Sequence, residues 1–205
     1  MPRYMITQSL LSSWDYVFNC AEGSEEEAKA DFLRALSREK SEPNQAMLDG
    51  IEFETEVYAA AAGKPRQPHR KWESGIQKVA AIIRGAPVQL RVSREIEVAG
   101  MTFLVYGVLD ALKAGTIYDV KYKVKSFNSV EVAGSYLNSA QHPAYFYCVP
   151  EAHEFQYLVS DGDDLYIERY TPQDCRHISE FIGEFVPSVR NMGLLDLYKE
   201  KWQAK

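Results

Sequence analysis

The hydrophobic pattern divides the chain into a helical first part and a strand-rich second part. Over residues 6–18, Leu10, Leu11, Trp14, Val17 and Phe18 recur at helical spacing, with Thr7 and Ser9 placed to cap the first turn. Ser24-Glu25-Glu26-Glu27 opens a second helix whose acidic first turn suits the helix dipole, and Leu33 and Leu36 continue it. A third helix is predicted over residues 43–62, with Pro43 at a permitted early position and Gly63 as its stop. Residues 65–68 form a proline-bounded linker, and a fourth helix covers residues 71–84 and ends at Gly85. After Pro87 the period changes to two. Residues 89–98 alternate as a half-exposed strand does, Ala99-Gly100 turns the chain, residues 101–112 make a second strand and residues 116–123 a third. Residues 139–148 read as helix, 154–160 and 165–170 as a hairpin across Asp161-Gly162-Asp163-Asp164, and 172–190 and 194–203 as closing helices. This order predicts an α/β fold with a mixed central sheet flanked by helices, because antiparallel hairpins broken by a crossover helix do not make a fully parallel sheet.

Length and composition narrow the picture without deciding it. The 205 residues suffice for one domain with a sizeable core, and 46% hydrophobic with 25% charged residues is an ordinary soluble composition. The expectation is a single domain over residues 1–205, with a helical part at about 5–85, a sheet core at about 88–170 and C-terminal helices at about 172–203. No apolar run is long enough to span a membrane and the N-terminus lacks the apolar core of a signal peptide, so a cytoplasmic protein with no membrane contact is expected. Cys20, Cys148 and Cys175 are far apart and make no CxxC pair, which suits thiols in a reducing compartment. The net charge of −6 excludes a protein that coats nucleic acid by bulk electrostatics, but not an enzyme with a local basic channel.

The chemistry concentrates in one predicted hairpin, residues 106–121. With Ala114 and Gly115 as the central turn residues, Asp110 falls directly opposite Asp119. Like charges so placed repel unless something lies between them. Lys121 shares the face of Asp119, whereas Tyr118, Val120 and Tyr122 point the other way and can form core. A divalent cation would resolve the repulsion, since Mg²⁺ takes one or two carboxylates plus waters and phosphate oxygens. An edge hairpin with solvated charges is the plainer reading of the same residues.

Three further side chains are candidates by position. Glu54 lies close to the apolar stripe of the third helix. Gln141 and Tyr145 stand four apart on one helical face, an amide and a phenol suited to hydrogen bonds with water or phosphate. Taken singly, these are a boundary acid, a helix cap and a core tyrosine. Lys121, Lys123 and Lys125 alternate along one strand and its exit, and Arg66, His69, Arg70 and Lys71 form a second basic patch; either could follow a phosphate backbone. Tyr136, Phe146 and Tyr147 could stack on bases, although core packing accounts for them as well.

Together, Gly50-x-x-x-Glu54, Gly107-x-x-Asp110, Asp119-Val120-Lys121 and Gln141-x-x-x-Tyr145, in that order, resemble the PD-(D/E)xK nuclease superfamily. Within it they look like the RecB-like and phage-exonuclease-like branch, of the lambda and YqaJ type, and residues 6–14 resemble the helix that opens many RecB-like domains. The resemblance spans residues 5–170. It implies a restriction-endonuclease-like core and a DNA exonuclease of recombination or end processing, with Mg²⁺ or Mn²⁺ as cofactor. By that resemblance Glu54, Asp110, Asp119 and the Val120 carbonyl would hold the metal, Lys121 would activate the attacking water, and Gln141 and Tyr145 would support them. DNA contacts would fall to Lys123, Lys125, Arg66 and Arg70.

The chain departs from the pattern in two ways. Many relatives have a histidine where Glu54 stands, and Pro143 falls between Gln141 and Tyr145, where it must occupy the first helical turn or kink the helix. Iron–sulfur relatives carry a late cysteine trio that Cys148 and Cys175 do not make, so no cluster is expected. The resemblance leaves other roles open: a homo-oligomer, an accessory nuclease that needs a helicase or annealing partner, or a DNA-binding protein of this fold that does not cut.

Overall fold

The computed structural model describes residues 2–40, 42–124, 127 and 133–204. Its elements run β1 (Arg3–Thr7), α1 (Gln8–Asn19), α2 (Glu25–Leu36), α3 (Gln45–Ala61), α4 (Glu73–Ile83), β2 (Val88–Val98), β3 (Met101–Lys113), β4 (Thr116–Tyr122), α5 (Gln141–Cys148), β5 (Glu154–Ser160), β6 (Leu165–Tyr170), α6 (Ile178–Asn191) and α7 (Leu195–Lys201). The fold is α/β, a six-stranded mixed sheet flanked by helices, with a first part that is mainly helical. No helix among the described residues is long and apolar enough to cross a membrane.

The principal departure from the sequence reading is β1. Helical periodicity places Ile6 in the first helix, but residues 3–7 form a strand parallel to β3, with Ile6 opposite Val105. Ile6 is buried in either geometry, so the local pattern could not separate them; pairing with a distant strand decides. The helix begins after Thr7, whose hydroxyl accepts from the Leu10 amide at 3.3 Å. The start of α3 also shifts. Asn44 is its N-cap, accepting from the Met47 amide at 2.9 Å, and Pro43 lies outside the helix.

β3 organises the sheet. Along one edge β2 runs antiparallel to it, with pairs from Val98↔Met101 to Val88↔Ala111. The other edge is divided. Residues 102–106 pair with β1, and only residues 111–113 pair with β4. Residues 107–110 therefore face a fork between β1 and β4 where no strand completes the ladder. β4 turns away to run parallel to β5, and β6 closes that side of the sheet.

The β3–β4 register is the one expected from the turn, with Ala111 opposite Tyr118 and Lys113 opposite Thr116. Ala114 and Gly115 have φ of 50° and 78°, the two positive values that a tight hairpin turn of the favoured hand requires. Asp110 and Asp119 occupy the next opposed positions, where ladder pairing has stopped.

Two cores cover the two faces of β4 and β5. Ile117, Phe155, Tyr157 and Val159 join α1, α2, α5 and α6 in one; Val120 and Leu158 join Phe53, Val57, Ile76 and Val79 of α3 and α4 in the other. β3 passes from one to the other, since Leu109 belongs to the first core and Ala111 to the second. Asp110 sits at that crossing.

Candidate active site

The fork explains the geometry around Asp110. With no β4 backbone opposite it, Asp110 takes up the strand's free donor: its Oδ2 accepts from the Val120 amide at 2.7 Å. Asp119 is 3% exposed, on the same β4 face as Ile117. Its Oδ1 accepts from the Gln141 side-chain amide. Its Oδ2 forms an ion pair with Lys121 Nζ at 2.7 Å.

α5 reaches this face because of a glycine. A Cβ at Gly107 would collide with the Tyr145 ring, so glycine lets α5 approach β3 closely. Tyr145 then donates to the Val108 carbonyl at 3.0 Å, which satisfies a backbone group left open by the fork. Gln141 and Pro143 both lie in the first turn of α5, where proline is tolerated, so the helix is not broken between Gln141 and Tyr145. The spacing that links Gly107 to Asp110 and Gln141 to Tyr145 is thus one packing contact seen from its two sides.

Glu54 approaches from α3. Its carboxylate accepts from Tyr58 one turn on and from Gln89 Nε2 at 3.3 Å, and Gln89 also donates to the Tyr58 hydroxyl at 2.8 Å. Neither Tyr58 nor Gln89 carries a sequence motif of its own. Only the four-residue spacing of Glu54 and Tyr58 could have signalled the first of these.

The charges of the site are set by their neighbours. Burial, then the charges of Asp119 and Glu54, push the Asp110 carboxyl well above the usual carboxylate range. Burial works to lower the Lys121 ammonium, but Asp119 and then Asp110 outweigh it and hold the group above the usual lysine range, firmly charged. Burial, together with Asp119, pushes the Tyr145 phenol up to about 12, so it stays a neutral donor.

Among the described residues, no three His, Cys, Asp and Glu side chains are grouped to hold a metal ion. The donors that do adjoin, two aspartate carboxylates at a strand fork, are the hard oxygen ligands that Mg²⁺ and Mn²⁺ take in small numbers. Among the described residues, Asp119 Oδ2 is met by the Lys121 ammonium alone.

The basic candidates fare unevenly. Lys123 leaves β4 beside the site, its ammonium 5.8 Å from the Tyr136 ring centroid. Arg66 is engaged instead: its guanidinium lies 2.7 Å from Glu73 and 3.5 Å from Glu56, and its side chain is only 11% exposed. Arg70 is exposed, and Lys125 lies outside the described residues. Tyr136 stacks on Tyr157 with centroids 4.1 Å apart, and Phe146 is buried in the first core.

No family model matches the chain, and no curated protein matches it. Solved structures do. The crystal structure of SSO0001 superposes on 93% of this chain and 77% of that one, with a TM-score of 0.53 and 12% identity. That of LHK-Exo in complex with dAMP covers 91% of this chain and 90% of that one, with a TM-score of 0.46 and 13% identity. The first likeness is one of fold. The second is too distant to carry weight.

Proposed function

We propose that this chain is a divalent-cation-dependent DNA nuclease, an exonuclease of recombination or end processing, built on a restriction-endonuclease-like core. The observation that carries the reading is the pair of opposed aspartates at the β3–β4 fork, Asp119 buried and Asp110 half-buried, with the charged Lys121 ammonium against Asp119 Oδ2. Two like charges in that setting are costly in isolation, and a cation is the simplest partner that removes the cost.

In this reading Asp110, Asp119 and the Val120 carbonyl hold Mg²⁺ or Mn²⁺, with Glu54 completing or supporting the set. The ion supplies polarisation of the scissile phosphoryl group and a water acidic enough to attack at neutral pH. The protein's own groups do the rest. Gln141 fixes the Asp119 carboxylate through Oδ1, so that Oδ2 keeps one direction. Lys121 stays protonated, so it acts as a donor that orients water or offsets charge on a phosphate oxygen. Tyr145 anchors α5 to β3 and so keeps Gln141 in place. Lys123, at the exit of β4, would meet a phosphate of the DNA backbone.

The test is digestion of end-labelled linear DNA beside closed circular DNA, with Mg²⁺, Mn²⁺ or chelator, using the wild type, Asp119→Ala and Lys121→Ala. Cation-dependent loss of linear DNA alone, abolished in both variants, is the expected result. Cleavage of the closed circle would make the enzyme an endonuclease. Cation binding without cleavage would point to the accessory or non-cutting role, and neither binding nor cleavage would sink the proposal.

A further inference from the structure

Four described residues other than glycine have positive φ. Arg38 follows the end of α2, and Ala99 and Ala114 sit in hairpin turns. Gln89 is different: it holds φ 55° within β2. Side chains other than glycine adopt this conformation at a cost, and such residues persist where surrounding structure imposes them.

The place of this strain is specific. β2 pairs with β3 through Val88↔Ala111 on one side and Leu90↔Leu109 on the other, and the position between them, Gln89 facing Asp110, is passed over. Register continues unchanged on both sides, so no residue has been inserted; one pair has been opened. Across this row of the sheet stand Gln89 on β2, Asp110 on β3 and Asp119 on β4. The amide of Gln89 leaves the ladder and bonds both Glu54 Oε1 and the Tyr58 hydroxyl. A glutamine used only to finish a strand would keep extended backbone and ladder pairing.

We infer that Gln89 is a positioning residue of the Asp110 site: its left-handed backbone aims the side-chain amide at Glu54 and Tyr58, fixing the Glu54 carboxylate beside Asp110. The inference rests on the nuclease reading above. Gln89 touches neither the reacting atoms nor a cation; it acts through Glu54. The opened pair beside Asp110 is the structural cost of that aim.

Gln89→Gly separates this role from a structural one, because glycine adopts φ 55° without strain while the side chain that bonds Glu54 and Tyr58 is removed. Three readouts apply to the wild type, Gln89→Gly, Glu54→Gln and the double variant: melting temperature without cation, Mn²⁺ affinity by calorimetry, and kcat and KM on linear DNA. Gln89→Gly should melt no lower than the wild type. Its Mn²⁺ affinity and kcat should each fall about tenfold, the size seen when a partner behind a metal ligand is lost, with KM for DNA unchanged. In the Glu54→Gln background the Gln89 change should add nothing. Wild-type affinity and kcat in Gln89→Gly, or an equal loss with Glu54 already changed, would overturn the assignment while leaving the nuclease reading intact. A wild type that neither binds Mn²⁺ nor cuts DNA would remove both.

Discussion

Glu168 of the β5–β6 hairpin and Asp119 of the β3–β4 hairpin are buried almost equally, at 6% and 3% exposure, yet their surroundings treat them in opposite ways. Glu168 accepts from the amides of Gly134 at 3.1 Å and Tyr136 at 3.2 Å and from the Tyr170 hydroxyl. These neutral donors converge on one charge and pin the segment before α5 to the sheet. Asp119 has one amide donor on Oδ1 and the Lys121 ammonium against Oδ2. It also faces a second carboxylate across the fork. A buried carboxylate met by several neutral donors is a structural clasp; one that faces a like charge with a single neutral donor is where the proposed cation would bind.

The largest effect that would sharpen this contrast is on catalysis. Asp119→Asn should lower DNA cleavage on the order of 10³-fold, as expected when several kcal/mol of transition-state stabilisation is lost. The folded, cation-free protein should melt close to the wild-type temperature, since relief of the Asp110–Asp119 repulsion offsets the lost Lys121 ion pair. A large drop in melting temperature would place Asp119 with Glu168 as structure. The reverse pattern is expected for Glu168→Ala, which strands two backbone amides and a phenol. Denaturant titration should show about 3 kcal/mol of lost stability, with activity per folded molecule retained. An activity loss in molecules shown to be folded would overturn the distinction.

Gly107→Ala tests the packing that brings α5 to the site. The added methyl meets the Tyr145 ring, and overpacking of this kind costs about 2 kcal/mol. Cleavage should fall as well, because Gln141 moves with α5. Unchanged melting and activity would show that the close approach is not required.

The smallest expected effect concerns His142, a neutral group left short. It is fully buried, its Nδ1 lies 3.0 Å from the Tyr157 hydroxyl, and its Nε2 has no hydrogen-bond partner among the described residues. Burial pushes its pKa down to about 4 from the usual 6.5. Its contribution to stability is therefore fully present above pH 6.5 and is lost as pH falls from there towards 4, because the unfolded chain takes up the proton first. At pH 5 this amounts to about 2 kcal/mol. Denaturant midpoints at pH 7.5 and 5 should differ more in the wild type than in His142→Gln. Equal differences would mean that His142 does not carry the acid sensitivity.

Much of the site was legible in short stretches. Ala114-Gly115 sets the turn, the turn sets the register, and period two then puts Asp119 and Lys121 on one face. α5 was legible as four-residue spacing, but its docking was not, because Gly107 reads as a loop or bulge signal until Tyr145 is seen against it. Arg66 read as a free cation and is paired with Glu73 and Glu56 instead. A charge run carries no record of which acids fold back onto it.

The sequence by itself determined the alternation of helices and strands, the β3–β4 register and the proximity of Asp119 to Lys121, since each is fixed by geometry repeating within a few residues. Tertiary structure decided the strand at residues 3–7, the fork at residues 107–110 and the left-handed turn of Gln89 opposite Asp110. Each of these depends on a partner far along the chain. β1 is a strand because β3 offers an edge, Asp110 bonds the Val120 amide because β4 has parted from β3, and Gln89 leaves the ladder towards Glu54 and Tyr58 on a separate helix. Local periodicity records which faces must be buried; it does not record against what.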